Sequence, residues 1–214
     1  MSALPSHVTI REVSLRDGLQ IEQPIPLPAK LELLEAIAAT GVREVEATAF
    51  VSPSKVPAMA DAPELTAALA SFPEYVVAAS DEFSHANVGR SSADATALIG
   101  EIAVIAHDAG AGNLPLGAHL NNTRGAGLAS AYAAVTAGVT RLDASVGGLG
   151  GCPFAPGATG NIATEDLVYM LRDSGIHVDI DLDAAIAAAR VAARVVGHEL
   201  PGALLRAGDR RGGG

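Results

Sequence analysis

Two hydrophobic periodicities alternate along the 214 residues. Short runs rich in Val and Ile, "HVTIREV", "VREVEATAF", "YVVAAS", "LPLGAHL" and "VTRLDASV", are each bounded by turn residues and predict strands. Most of the intervening segments carry a helical period. In "PAKLELLEAIAATG", Leu31, Leu34, Ile37 and Ala38 share one face, Pro28 stands near the start and Gly41 follows the end. "SADATALIGEIAVIAHDAG" and "GAGLASAYAAVTAG" behave alike, the second stopping at Gly138. Further on, "ATEDLVYMLRDSG" offers Thr164 as N-cap with Glu165 and Asp166 in the first turn, and "DAAIAAARVAARVVG" is closed by Gly197. The end, "RAGDRRGGG", has no apolar pattern, so residues 205–214 are expected to form a disordered tail after one domain spanning 1–204.

Strands alternating with helices predict an α/β fold with a parallel sheet, either open and doubly wound or closed as a TIM (β/α)8-type barrel. Polar residues gather where strands end: Arg16-Asp17-Gly18 after the first, His119 to Asn122 after the fourth, and a glycine run after the fifth. A barrel places its chemistry at that face, but an open sheet also binds ligands at strand carboxyl ends, so position alone does not choose. No glycine-rich phosphate loop follows the first strand, which weakens a dinucleotide-binding reading.

Composition narrows the partners. A formal charge of -10 and a pI near 4.9 argue against a phosphate-backbone binder, which needs a basic face. The N-terminus lacks the layout of a signal peptide and the longest apolar stretches are broken by charges and glycines, so the expectation is a cytoplasmic protein without nucleic-acid or membrane partners. The single cysteine, Cys152, has no internal disulfide partner.

Asp17 and His119 stand at two strand ends, and Asn121 follows His119 at the spacing that puts both side chains on one side of an extended chain. One Asp, one imidazole and one amide suit an open octahedral Mg2+ or Mn2+ site better than a structural zinc site. Taken alone, His-x-Asn fits a hydrogen-bonded strand end better than a ligand pair, and Asp17 fits a turn residue before Gly18. "GGLGGCPFAPGATGN" is less easily explained as a linker, because it carries Cys-Pro-Phe at its centre and joins a strand directly to a capped helix.

With these residues in view, "REVSLRDGLQ", "VEATAFVSPSKVPAMAD", "ASVGGLGGCPFAPGATGNIATEDLVYML" and "SGIHVDIDL" resemble the 3-hydroxy-3-methylglutaryl-CoA lyases, a branch of a metal-dependent lyase and synthase superfamily built on TIM barrels. The resemblance runs over most of the chain. It implies a divalent cation, Mg2+ or Mn2+, held by Asp17, His119, Asn121 and Asn161. It also implies that Arg16 stabilises an enolate oxygen, that Cys152 moves protons, and that Glu12, Glu46 and Gln20 stand near the active centre. The implied reaction is retro-Claisen cleavage of an acyl-CoA substrate to acetyl-CoA and acetoacetate, in which one good donor at the developing charge contributes roughly 3 kcal/mol. An aldolase or Claisen-type synthase of the superfamily would share the Arg-Asp and His positions without the Cys-Pro loop, and an inactive remnant would keep the motifs by descent. Lys55 and Arg124 are candidates for the CoA phosphates by position only, and a homo-oligomer stays open.

Two departures from the family pattern stand out. Asn121 occupies a position where the family carries His. The chain also has five of eight expected strands, with apparent gaps near Pro73 and between Gly110 and Asn113, so about three strand–helix units are missing. Omission of segments from the sequence, true internal deletion, and completion by a second copy each account for this, and the survival of every motif beside the gaps favours omission.

Overall fold

The computed structural model describes residues 4–69, 76–79, 117–151 and 160–210, the second of these as backbone. The predicted helix over 92–110, residues 114–116 of the fourth predicted strand and Cys152 lie outside them.

Five strands form one parallel sheet: β1 (Thr9–Glu12), β2 (Glu44–Ala49), β3 (Val76–Ala79), β4 (Gly117–Ala118) and β5 (Arg141–Ala144). Their order is β3-β2-β1-β5-β4. A doubly wound sheet would step outward from β1 in each half, giving 3-2-1-4-5 on this side. Here the chain leaves one edge at β3, re-enters at the opposite edge with β4, and returns to β1 through β5. Sequence neighbours are thus ring neighbours, with the ring open between β3 and β4 among the described residues. This is the arc of a TIM-type barrel whose last strand pairs with its first, which answers the question that strand-end position left open.

The two faces of the arc differ because parallel strands alternate side chains. Ile10, Val45, Ala47, Leu142 and Ala144 are buried and belong to the core that the helices cover. Arg11, Glu44, Glu46, Arg141 and Asp143 occupy the alternate positions, and register sets Arg11 beside both Glu44 and Asp143. Arg141 pairs with Glu44 and Arg11 with Asp143, so the face that would line a barrel interior is a lattice of opposite charges.

The helices are α1 (Leu27–Ala38), α2 (Ala62–Leu69), α3 (Gly127–Thr136), α4 (Thr164–Asp173), α5 (Leu182–Val196) and α6 (Ala203–Ala207). Helix α1 packs on α5, where Ala185, Ala188, Ala189 and Ala192 are fully buried and their small side chains permit close approach. Asp181 caps α5 by accepting from the Ala184 amide at 2.8 Å, and Gly197 ends it in a left-handed conformation.

Three expectations need correction. The fully buried face of α1 runs through Lys30, Leu33, Leu34 and Ile37, with Leu31 half-buried against the core and Ala38 outside that set, and Lys30 turns inward to Ala58 O and Asp61. Thr164 is the first helical residue of α4, not its cap, and its hydroxyl donates to Glu12 Oε2 at 2.5 Å. The chain from 205 does not begin as a disordered tail: Leu204 and Leu205 pack on the core within α6, whose first amides are held by Asp166, which accepts from Ala203 and Leu204 at 2.8 Å each. Among the described residues, no helix is long and apolar enough to cross a membrane.

Candidate active site

The Arg16-Asp17-Gly18 triplet lies in a single turn of π-helix, Ser14–Gly18, directly after β1. The amides of Arg16, Asp17 and Gly18 all point to the Val13 carbonyl, at 3.2, 2.8 and 3.1 Å. Such wide turns recur where a side chain must be re-aimed at a functional site. Gly18 fits because a Cβ there would lie 3.1 Å from both Ser145 Oγ and Leu149 Cγ.

Asp17 is the hub. Its Oδ1 accepts from Arg16 Nη1 at 3.0 Å and Gln20 Nε2 at 2.9 Å, and its Oδ2 accepts from Asn161 Nδ2 at 2.9 Å. His119 Nε2 stands 3.9 Å from the same Oδ2. The other ring nitrogen, Nδ1, lies 3.1 Å from Asp143 Oδ2. Donation from Nδ1 to that carboxylate leaves Nε2 with its lone pair toward Asp17, the tautomer a metal-binding histidine needs.

Asp143 is held in turn by Arg11, whose Nε and Nη2 donate to its two oxygens at 2.9 and 2.8 Å. Burial pushes the Asp143 carboxyl up, but hydrogen bonds from His119 and Arg11 outweigh this and leave it below its ordinary value. The bond to Asp143 raises His119, assisted by the charge of Asp17 and opposed by burial. Glu46 lies on the same face, with Oε1 3.2 Å from Arg11 Nη1 and Oε2 3.9 Å from Arg16 Nε.

Asn161 reaches this cluster because the far end of the glycine loop is tied to the strand β4 exit. Asn121 and Asn161 form an antiparallel bridge, flanked by Asn122 N donating to Gly160 O at 3.1 Å and Ile162 N to Leu120 O at 3.4 Å. The Asn161 Nδ2 also donates to Leu149 O at 3.1 Å, while its Oδ1 is buried without a hydrogen-bond partner among the described residues. An orphaned acceptor beside a carboxylate and a free imidazole nitrogen is a donor set of oxygens and nitrogen, and it fits a divalent cation.

Of the residues expected at the site, Arg16, Asp17, Gln20, Glu46, His119 and Asn161 converge here, and the backbone of Asn121 lies beside Asn161. Glu12 does not face the cluster. Sharing the parity of Ile10, it points under the helices, where Oε1 accepts from the Ser14 amide (3.0 Å), Ser14 Oγ (2.5 Å) and the Val146 amide (3.2 Å). Burial raises its carboxyl above the usual range, against the pull of these donors. Two participants escaped the sequence reading, Arg11 and Asp143. The available signal was a charged residue at an alternate position in each of two adjacent parallel strands, where paired opposite charges are required.

The family model described as HMGL-like matches residues 102–192. Mitochondrial hydroxymethylglutaryl-CoA lyase of Rattus norvegicus is 31% identical over 277 residues, covering 88% of this chain and 85% of that one. The (R)-citramalyl-CoA lyase of Chloroflexus aurantiacus is 31% identical over 300 residues, covering 94% and 95%. Among solved structures, an HMG-CoA lyase from Acinetobacter baumannii in complex with coenzyme A and 3-methylmalate superposes with a TM-score of 0.74 at 28% identity, covering 99% of this chain and 98% of that one. Shared scaffold and shared sequence over most of these relatives' length place the chain in the HMG-CoA lyase-like family, as a carbon–carbon lyase of the hydroxymethylglutaryl-CoA lyase type.

Proposed function

We propose that this lyase cleaves 3-hydroxy-3-methylglutaryl-CoA, or a close 3-hydroxyacyl-CoA, to acetyl-CoA and acetoacetate with the help of Mg2+ or Mn2+. The observation that carries the reading is the convergence of Asp17, His119 Nε2 and Asn161, whose Oδ1 has no partner among the described residues, from three separate segments. Asp17, His119 and Asn161 would hold the cation, with Asn121 as a fourth ligand, and the cation would supply Lewis-acid polarisation of the substrate's hydroxyl and carbonyl oxygens.

Arg16 supplies fixed positive charge where the thioester enolate develops. Asp17 and Glu46 hold its guanidinium from two sides, so little reorganisation is needed when charge appears. Gln20 fixes the remaining lone pairs of Asp17 Oδ1. Glu12 positions the turn that carries Arg16 and Asp17, through the amide and hydroxyl of Ser14. Cys152 lies outside the described residues; its place in the loop that ends at Asn161 supports a role in returning a proton to the enolate carbon. The alignment length of 277 residues, greater than this chain's 214, supports the inference that the whole protein carries further strand–helix units near Pro73 and between Gly110 and Asn113, and an intact mass of 21.5 kDa would overturn it.

The test is release of acetyl-CoA from 3-hydroxy-3-methylglutaryl-CoA in Mg2+ or Mn2+, with Asp17→Ala alongside and citramalyl-CoA as second substrate. Metal-dependent release lost in the variant supports the reading. Release from citramalyl-CoA alone would reassign the substrate, and release unaffected by Asp17→Ala would overturn the assignment of the site.

A further inference from the structure

At the opposite end of the sheet, His7, His177 and Asp179 bring two imidazoles to one carboxylate. His7 Nε2 lies 3.2 Å from Asp179 Oδ2, and His177 Nε2 lies 3.2 Å from Asp179 Oδ1. The three potential ligand atoms fall within 4.8 Å of one another, and the two rings are 5.4 Å apart at 37°. We propose that this cluster is a second metal site, taking a borderline transition-metal cation of the Zn2+ class, separate from the site at the strand carboxyl ends.

The backbone holds the ligands before any ion arrives. His7 and His177 are joined as a parallel bridge, with Val8 N donating to His177 O at 3.1 Å and His177 N to Ser6 O at 3.0 Å. His177 and Asp179 flank Val178, and burial alternates along 176–180 with both of them on the less buried side. That segment is tied again by Asp181 N, which donates to Thr40 O at 2.8 Å. Ligands fixed by main-chain contacts on two distant stretches lose little freedom on binding.

The donor set also selects the metal. Two neutral imidazoles and one carboxylate, with solvent available for a fourth position, match zinc coordination; Mg2+, which prefers an all-oxygen octahedron and keeps its waters, is disfavoured. Tetrahedral ligands about 2.1 Å from an ion stand roughly 3.4 Å apart, close to the spacing already present between each ring and the carboxylate. Arg43 Nε also approaches Asp179 Oδ2, at 3.1 Å. It is two-thirds exposed, and retained on Oδ2 it leaves Oδ1 for the ion. An ion here would staple the entry to β1 onto the entry to α5.

The test uses the full chain in saturating Mg2+, titrated with Zn2+ by calorimetry and checked by zinc content after dialysis, for the unaltered protein, His177→Ala, His7→Ala and Asp17→Ala. The expected result is one Zn2+ per chain, retained in Asp17→Ala, weakened at least tenfold in either histidine variant, and accompanied by a rise in Tm absent from those variants. His177 is largely exposed, so His177→Ala folds without it. Zinc binding unchanged in both histidine variants, zinc lost only in Asp17→Ala, or no zinc bound at all would each overturn the proposal.

Discussion

His119 Nδ1 and Asp143 Oδ2 stand 3.1 Å apart, and the same carboxylate takes a two-pronged grip from Arg11. The chain Arg11–Asp143–His119 fixes both the orientation and the tautomer of the imidazole that faces Asp17. In Asp143→Asn, an amide carbonyl turned toward His119 would set the NH2 against Arg11, so one of the two contacts is lost. Such outer partners of metal ligands typically contribute 10–100-fold to metal affinity or activity. The expected outcome is a loss in that range in Mn2+ affinity, measured by calorimetry, with a matching loss in acetyl-CoA release. An unchanged affinity would mean that His119 does not act as a ligand.

The resemblance leads one to expect an imidazole at the position of Asn121. A neutral amide oxygen is a weak donor for borderline metals, whereas imidazole gains along the series from Mn2+ to Ni2+. Asn121→His should therefore raise affinity for Co2+ and Mn2+ by about tenfold while changing Mg2+ little. Competition of Co2+ against Mg2+ in both proteins measures this directly, and an equal ratio would remove Asn121 from the ligand set.

Gly160 permits the near contact that delivers Asn161. A Cβ on it would fall 2.3 Å from Gly148 O and 2.6 Å from Gly150 O, both backbone atoms that cannot turn aside. Gly160→Ala must push the loop ends apart, at a cost of about 1–3 kcal/mol. Metal affinity should fall together with Tm. The matched control is Gly175→Ala, where φ is +79° and no atom lies within 4 Å of the added methyl. That variant should lose stability through backbone strain alone and keep its metal affinity.

Lys30 is buried at 1% exposure, and its Nζ donates to Ala58 O at 2.6 Å and Asp61 Oδ1 at 2.5 Å. It fastens α1 to the segment that follows β2. Lys30→Ala leaves a buried carbonyl unpaired and a cavity, though Asp61 can still reach water, so the expected loss is about 2–3 kcal/mol in urea unfolding. Lys30→Met, which restores the packing but not the bonds, should recover part of that loss.

What the sequence reveals and what it hides divide along a physical line. The triplet at Arg16 to Gly18, the His119-x-Asn121 spacing and the glycine loop are local patterns, and each was visible as strand-end chemistry in the sequence alone. The strand order was not, because a ring and an open sheet share the same alternation of elements. Asp143 looks like an ordinary residue of "RLDA" until register sets it beside Arg11. Glu12, two residues from the first motif, carries the wrong parity to join the site, and only the sheet's two faces show which side it takes.

Glu165 stands in the first turn of α4, as its sequence position predicts, and it is fully buried there. Its Oε2 accepts from the Gly147 amide at 3.0 Å, while Oε1 has no partner among the described residues and lies against Gly202, where a Cβ would collide with it. Burial pushes the carboxyl from 4.5 up to about 8, outweighing the Gly147 bond. The folded protein thus keeps a proton there that the unfolded chain has already released. Its contribution to stability is greatest below pH 4.5, declines as pH rises, and levels off above about 8, the reverse of a salt-bridged acid. Glu165→Gln removes the titration while preserving shape. Its stability relative to the unaltered protein should rise with pH between these limits, by up to about 1.4 kcal/mol per pH unit, in urea unfolding at pH 5.5, 7 and 8.5. A difference independent of pH would show that Glu165 is already ionised in the fold, with an unseen partner at Oε1.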